Sequence, residues 1–347
     1  MQSTLDVGRR GAFILQKDLA DFEIELAKYT GSKYALGVAN ATDGLQMGFV
    51  AGGIQHGDEI IFCSHTMVAT ASAIHFAGAI PVPVEAGSDH LIDADKIEQA
   101  ITGKTKAICP TQLNGRTADM DKIQSIAAKH GLEVYEDAAQ ALGSKWKGKC
   151  AGTFGVASCI SFYPAKILGC LGDGGAVLTN DDEVYRKLKL LRDHGRDEDG
   201  EVVMWGMNSR LDNLHAAYLA VQFKDYQTVI DRRRAMAAHY QSCLGGLEQL
   251  MLPPAPDSDP NHYDVYQNYE IEAEQRDALR DHLKEHGIGT LIQWGGKAVH
   301  QFRKLGFTQS LPFTENLFER MLMLPFNMSL SDDEIDYVCE TVRKFYN

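Results

Sequence analysis

Through the first two thirds of this 347-residue chain, short apolar runs of strand length alternate with stretches of helical pattern, and this alternation is what most restricts the fold. Strands are expected at residues 33–39, 59–63, 80–84, 105–110, 133–137, 156–162 and 174–179, with helices at 45–51, 68–77, 120–130 and 181–192. Strands separated by crossover helices pair in parallel and need a helical layer on each face, which predicts an α/β fold with a mostly parallel sheet between helices. A hydrophobic fraction of 44% is enough to fill one large core and a smaller one. The charge-rich stretch at 214–245 reads as helical, with the run Arg232-Arg233-Arg234 on a solvated face. The proline-rich segment at 253–260 reads as a linker. Beyond it, an extended run at 266–273 and helices at 275–286 and 331–345 predict a smaller α+β domain. The expected division is an N-terminal segment at 1–12, a large domain at 13–245 and a small C-terminal domain at 246–347.

Lys166 follows the strand-like run at 156–162 and stands among apolar and small residues, just before Gly172-Asp173-Gly174-Gly175. An ammonium in an apolar pocket has a depressed pKa, and the free amine can form a Schiff base with an aldehyde cofactor or a carbonyl substrate. Pyridoxal 5'-phosphate is therefore the first cofactor to consider. The bland alternative is a lysine that snorkels from a strand end. Asp137 closes another strand, 29 residues earlier. Ligands of open α/β sheets bind at the carboxyl ends of strands, where a carboxylate can keep a pyridine nitrogen protonated. A helix N-cap is the competing reading of Asp137 alone. Thr42 and the amide of Asp43 open a helix after a strand and could cradle a phosphate, with Ser161 adding a hydroxyl; here too an N-cap explains Thr42 equally well.

A net charge of −13 argues against nucleic acid or an anionic membrane as the main partner. The seven cysteines form no C-x-x-C pair and are odd in number, which disfavours metal sites and a disulfide framework and suits a reducing cytoplasm. No signal-peptide core or membrane-length apolar run is apparent.

The motifs Gly57-Asp58-Glu59-Ile60-Ile61, residues 66–71, Glu136-Asp137-Ala138-Ala139-Gln140-Ala141, Ser161-Phe162-Tyr163-Pro164-Ala165-Lys166, residues 171–176 and residues 206–213 occur in an order that resembles the DegT/DnrJ/StrS-type sugar aminotransferases. The resemblance spans nearly the whole chain. It implies the fold-type I architecture of pyridoxal-phosphate-dependent transferases, with a seven-stranded sheet. It further implies covalent attachment of the cofactor at Lys166, Asp137 on the pyridine nitrogen and Gln140 near the phenolic oxygen. Thr42, the Asp43 amide and Ser161 would hold the phosphate, and Asn208 would reach it from the partner in a homodimer. Two departures stand out. Met67 replaces the aromatic residue that stacks on the ring in relatives, leaving stacking to Met67 or to nearby His65. Gln112-Leu113-Asn114-Gly115 replaces His-Leu-Tyr-Gly in the substrate pocket.

The implied reaction moves an amino group from glutamate to a nucleotide-diphosphate-linked keto-sugar, leaving pyridoxamine phosphate between its two halves. A 4-keto-6-deoxy sugar is expected first and a 3-keto sugar is the alternative, in amino-sugar biosynthesis such as that of lipopolysaccharide O-antigen. Candidate substrate contacts are Arg9, Arg10, Gln112, Asn114, His194 and Lys297. A sugar-dehydrating branch carries histidine in place of the Schiff-base lysine, so Lys166 speaks against it. A non-catalytic cofactor-binding regulator and an aminotransferase restricted to amino acids are the other rivals.

Overall fold

The computed structural model describes residues 2–347. Seven strands build the central sheet: β1 Tyr34–Val38, β2 Glu59–Cys63, β3 Ile80–Val84, β4 Thr105–Cys109, β5 Glu133–Asp137, β6 Ala157–Ser161 and β7 Gly175–Thr179. Their order is β1-β7-β6-β5-β4-β2-β3. β7 runs antiparallel to both of its neighbours, and the other four pairings are parallel. Inner strands are apolar on both faces: in β2 the run Ile60-Ile61-Phe62-Cys63 is wholly buried, as a sheet covered on both sides requires.

Helices α1 Gln2–Arg10, α2 Lys17–Thr30, α3 Ala41–Ala51, α4 Val68–Phe76, α5 Met120–His130 and α6 Asp182–Arg192 belong to this part of the chain. α3 begins four residues before the expected start at 45, because Asn40 caps it by accepting from the Asp43 amide at 2.9 Å. α1 and α2 were not expected from the periodicity. α2 is fixed at its start by Asn213, whose Oδ1 accepts from the Leu19 amide at 2.8 Å.

The stretch expected as one helix at 214–245 is two, α7 Asn213–Phe223 and α8 Tyr226–Leu244. The reading of Arg232-Arg233-Arg234 as a solvated face also fails for its central residue. Arg233 is buried and donates to the backbone carbonyls of Tyr266 and Gln267, each at 2.7 Å. Helical spacing puts it on one stripe with Met236, Ala237 and Tyr240, all buried, and that stripe faces the C-terminal part of the protein.

There, β8 Leu250–Met251, β9 Glu270–Ala273 and β10 Met321–Met323 form an antiparallel sheet with β9 in the centre. Helices α9 Arg276–Glu285, α10 Pro312–Arg320 and α11 Asp332–Tyr346 accompany it. Its core joins Tyr269, Leu283, Leu322 and Val338 to Met236 and Tyr240 of α8, so one long helix serves both parts. The seven cysteines are all free. Among the described residues, no helix is long and apolar enough to cross a membrane.

Candidate active site

A cavity of about 530 Å³ opens at the carboxyl ends of β4, β5 and β6, within the size range of small-molecule sites. Alternation along β5 sends its last two acids to opposite sides. Glu136 turns into the protein, where it accepts from Gln112 Nε2 at 2.9 Å and from the amides of Gly152 at 2.8 Å and Phe154 at 2.6 Å. Burial raises its pKa. Asp137 turns to the cavity instead. Its Oδ2 accepts from Thr70 Oγ1 at 2.6 Å and its Oδ1 from the Ala139 amide at 3.1 Å. Behind Thr70, hydroxyl contacts continue to Thr66 at 2.9 Å and from Thr66 to Thr111 at 3.0 Å. This threonine relay, which fixes the Asp137 carboxylate, was not foreseen. Its only sequence trace is a threonine at i and i+4 at the start of α4.

Lys166 sits on the tight loop after β6, its amide donating to the Tyr163 carbonyl at 2.8 Å. Gln267 clamps this loop from the far side: its Oε1 accepts from the Ile167 amide at 3.0 Å and its Nε2 donates to the Ala165 carbonyl at 2.8 Å. The half-buried lysine lines the cavity. Burial lowers its pKa, with the nearby Asp137 carboxylate opposing the shift.

At one end of the cavity, Thr42 at the start of α3 and Ser161 at the end of β6 supply hydroxyls. β7 must pass this helix start closely, and a Cβ on Gly175 would fall 2.7 Å from the Asn40 carbonyl carbon and 2.8 Å from the Ala41 nitrogen. Only glycine lets the strand approach so near. The Asp43 amide, expected to bind phosphate, is already spent on the Asn40 cap. A desolvated amine, an acid held in a fixed orientation and two hydroxyls at one end of a cavity fit the aldehyde, pyridine nitrogen and phosphate of pyridoxal phosphate.

Met67 lines the cavity and is 53% exposed. His65 is wholly buried on the other side of the same turn, its Nδ1 donating to the His90 carbonyl at 2.9 Å. It is not among the lining residues, so its expected alternative role on the ring face has no geometric support. Gln140 lines the cavity and Asn114 stands behind it, its amide donating to Gln140 Oε1 at 3.0 Å. Gln112 is buried against Glu136, on the wrong side of the strand to touch a ligand here. Arg9 and Arg10 lie on α1, Arg10 paired with Asp18 at 2.8 Å. Lys297 is exposed, and His194 occupies a left-handed turn at φ 60°. None of these four borders this cavity. Asn208 also stands apart from it, bridged to Asp193. The cavity instead gains Asn268, Gln293 and Trp294 from the C-terminal part, none of which the sequence had singled out.

Residues 1–343 match the DegT/DnrJ/EryC1/StrS aminotransferase family. The chain belongs to that family. It is 39% identical over 346 residues to the dTDP-3-amino-3,4,6-trideoxy-alpha-D-glucose transaminase of Streptomyces venezuelae, covering 98% of this chain and 89% of the relative. It is 36% identical over 332 residues to the UDP-2-acetamido-2-deoxy-3-oxo-D-glucuronate aminotransferase of Pseudomonas aeruginosa, covering 95% and 91%. The crystal structure of S. venezuelae DesV in complex with a ketimine intermediate superposes with a TM-score of 0.95 at 38% identity, over 99% of this chain and 93% of that one. The expected fold-type I architecture is thus present, and the family member described here is a pyridoxal-phosphate-dependent sugar aminotransferase.

Proposed function

We propose that this enzyme transfers the amino group of glutamate to C3 of a nucleotide-linked 3-keto sugar. One observation supports the 3-keto alternative over the 4-keto-6-deoxy sugar expected first: the two relatives above use different nucleotides in their names, dTDP and UDP, yet both are named for position 3 of the sugar.

When bound, the cofactor supplies an aldehyde carbon that takes up the amino group and a ring that stores the electron pair. Lys166 Nζ, its pKa lowered by burial, would take up and return the proton at the donor's Cα. Asp137, oriented by Thr70 and the Ala139 amide, would hold the proton on the pyridine nitrogen. Gln140 would face the phenolic oxygen, Thr42 and Ser161 would bind the phosphate, and Met67 would cover a ring face.

Asn208 acts in the partner's site of a homodimer. The strap that leads to it supports this reading, since Val202 at 67%, Val203 at 57% and Trp205 at 95% expose apolar surface that a second copy would cover. Arg9, Arg10, His194 and Lys297, which do not border the chain's own cavity, enter the function only if they too serve a partner.

The test incubates the purified protein with glutamate and a panel of dTDP- and UDP-linked 3-keto and 4-keto sugars and identifies products by mass and NMR. Amination at C3 is expected. Exclusive amination at C4 overturns the position, and turnover of amino acids alone overturns the sugar reading.

A further inference from the structure

The cavity wall contributed by the C-terminal part carries a set of side-chain amides whose direction is dictated from behind. The chain of contacts starts at Glu270, a buried carboxylate on β9. Its Oε2 accepts from Gln293 Nε2 at 2.6 Å and its Oε1 from Asn114 Nδ2 at 3.1 Å. A carboxylate that is ionised only accepts, so both residues must turn their NH2 groups towards it. The Glu270 carboxyl is held well below its usual range: burial alone would raise it, and the neighbouring His65 and His90 outweigh that effect. His90 lies 2.9 Å from Glu270 Oε1 and 3.2 Å from Glu272 Oε1.

With its NH2 committed, Asn114 offers Oδ1 as an acceptor. Asn268 Nδ2 donates to it at 2.8 Å and Gln293 Nε2 at 3.0 Å. A second anchor is independent of the first. The Asn114 backbone N–H donates to Gln140 Oε1 at 3.0 Å, and Asn268 Nδ2 reaches the same oxygen at 3.2 Å. The two anchors agree. Asn268 and Gln293, both lining the cavity, are left with carbonyl oxygens that take no hydrogen bond among the described residues, and Gln140 is left with its NH2. That donor suits the cofactor's phenolic oxygen. The two acceptors have a different complement.

We propose that Asn268 Oδ1 and Gln293 Oε1 are the specificity-determining edge of the pocket, accepting hydrogen bonds from sugar hydroxyls, with Glu270 as the positioning residue that fixes their polarity. The inference rests on the sugar reading above and deepens it. Hydroxyls donate, whereas the carboxylates of glutamate only accept, so this edge separates the two substrates that share one cavity. Among the described lining residues the sole cation is Lys166, so glutamate's carboxylates find their positive partners elsewhere than on this wall.

The test uses holoenzyme and two measurements. Binding of dTDP-glucose, UDP-glucose and their ring deoxyfluoro analogues reads the sugar edge, and the glutamate-driven change in cofactor absorbance reads the other substrate. Gln293→Met and Asn268→Leu are expected to weaken nucleotide-glucose binding about tenfold, far more than they slow the glutamate half-reaction, because an unpaired hydroxyl costs roughly one hydrogen bond. A deoxyfluoro analogue that binds about tenfold worse to wild type should lose nothing further on the matching variant. Glu270→Gln should flatten that discrimination while retaining cofactor absorbance. Equal damage to both substrates, or analogues that all bind like the parent sugar, overturns the proposal. If wild type binds neither nucleotide-glucose but aminates a keto-sugar of the panel, the same comparison is read on that sugar's kcat/KM. Binding of no nucleotide sugar together with no amination sinks the sugar reading itself rather than this edge.

Discussion

On one wall of the cavity Asp137, Lys166, Thr42 and Ser161 stand at strand ends or on the short loops and helix starts that follow them. On the other, Asn268 just ahead of β9 and Gln293 in an irregular turn reach in from the C-terminal part, Gln293 held by the buried Glu270 carboxylate and Asn268 by Asn114, which that carboxylate also orients. The first wall has little freedom, since Asp137 and Ser161 end, and Lys166 follows, strands paired on both sides and Thr42 opens a helix packed against that sheet. The second wall is a chain of polar contacts that could be exchanged for another without disturbing the sheet. The chemistry therefore belongs to the rigid wall and substrate choice to the adjustable one, a division that predicts where substitutions act on rate and where they act on selectivity.

The sharpest break of that comparison would come from the rigid wall. Lys166→Ala should lose turnover by roughly 10²- to 10⁴-fold from proton transfer alone, while pyridoxamine phosphate still binds without a covalent link. Borohydride reduction of the wild-type enzyme followed by peptide mapping should find the cofactor on Lys166, and recovery on a different lysine would remove the amine from the mechanism. Asp137→Asn should fold but run slower by roughly 10²- to 10³-fold, as for loss of a preorganised charge. Thr70→Val, which deprives Asp137 Oδ2 of its 2.6 Å donor, should cost about tenfold in kcat with little change in KM. If Asp137→Asn turned over like wild type, the acid would be a cap and no more.

Between the walls runs the join of the two parts, and Arg233 is its pin. The guanidinium also packs over the Phe326 ring at 4.7 Å. Arg233→Ala should lower unfolding stability by at least about 3 kcal/mol, since two buried carbonyls lose a charged donor. Thermal unfolding with cofactor bound checks this; a shift below 1 °C would contradict the placement.

A smaller effect is tied to pH. Burial alone would lower the His90 pKa, but Glu270 and Glu272 raise it from 6.5 to about 9. The folded protein thus holds a proton that the unfolded chain releases earlier. Its stabilisation is complete below about pH 6.5 and is lost as pH rises through 9, at up to about 1.4 kcal/mol per pH unit. Urea unfolding at pH 6.5 and 9 should show this decline, and His90→Asn should flatten it.

The difference between the walls also explains what the sequence could disclose. β2, β3, β5 and α5 coincide with their expected limits because an apolar run or a 3.6-residue period is a local property. Lys166 and Asp137 were legible for the same reason: Asp137 ends a strand and Lys166 lies on the short loop after one, each with small residues beside it. Asn268 and Gln293 carried no such mark, since their partners Asn114 and Glu270 are brought together only by the fold. Arg233 was misread because its run of three arginines has one composition and two environments, and only the packing of α8 against the C-terminal core tells them apart. Gln112 was assigned to the pocket with Asn114, yet the bond from its Nε2 to Glu136 turns it below the sheet.

The finest comparison is between two neighbours, Met67 and His65, on either side of one turn. Met67 borders the cavity and is 53% exposed, so its thioether can lie against a cofactor ring face. An aromatic side chain offers a flatter contact, and Met67→Phe should hold the cofactor as tightly or more tightly, by at most about 1 kcal/mol. Met67→Ala should loosen it by a similar amount without lowering the melting temperature of the apoprotein. His65 packs edge-on against Trp294 and Phe318, at ring separations of 5.5 and 5.2 Å, and its Nε2 stands 3.5 Å from Glu270. His65→Ala should therefore lower the melting temperature of the apoprotein and leave the cofactor's Kd within about twofold, as expected of a core truncation away from the ligand. Titration of pyridoxal phosphate into the three apo variants reads both effects. Release of the cofactor by His65→Ala, with Met67→Ala silent, would move the ring to the other side of the turn and with it the boundary between the two walls.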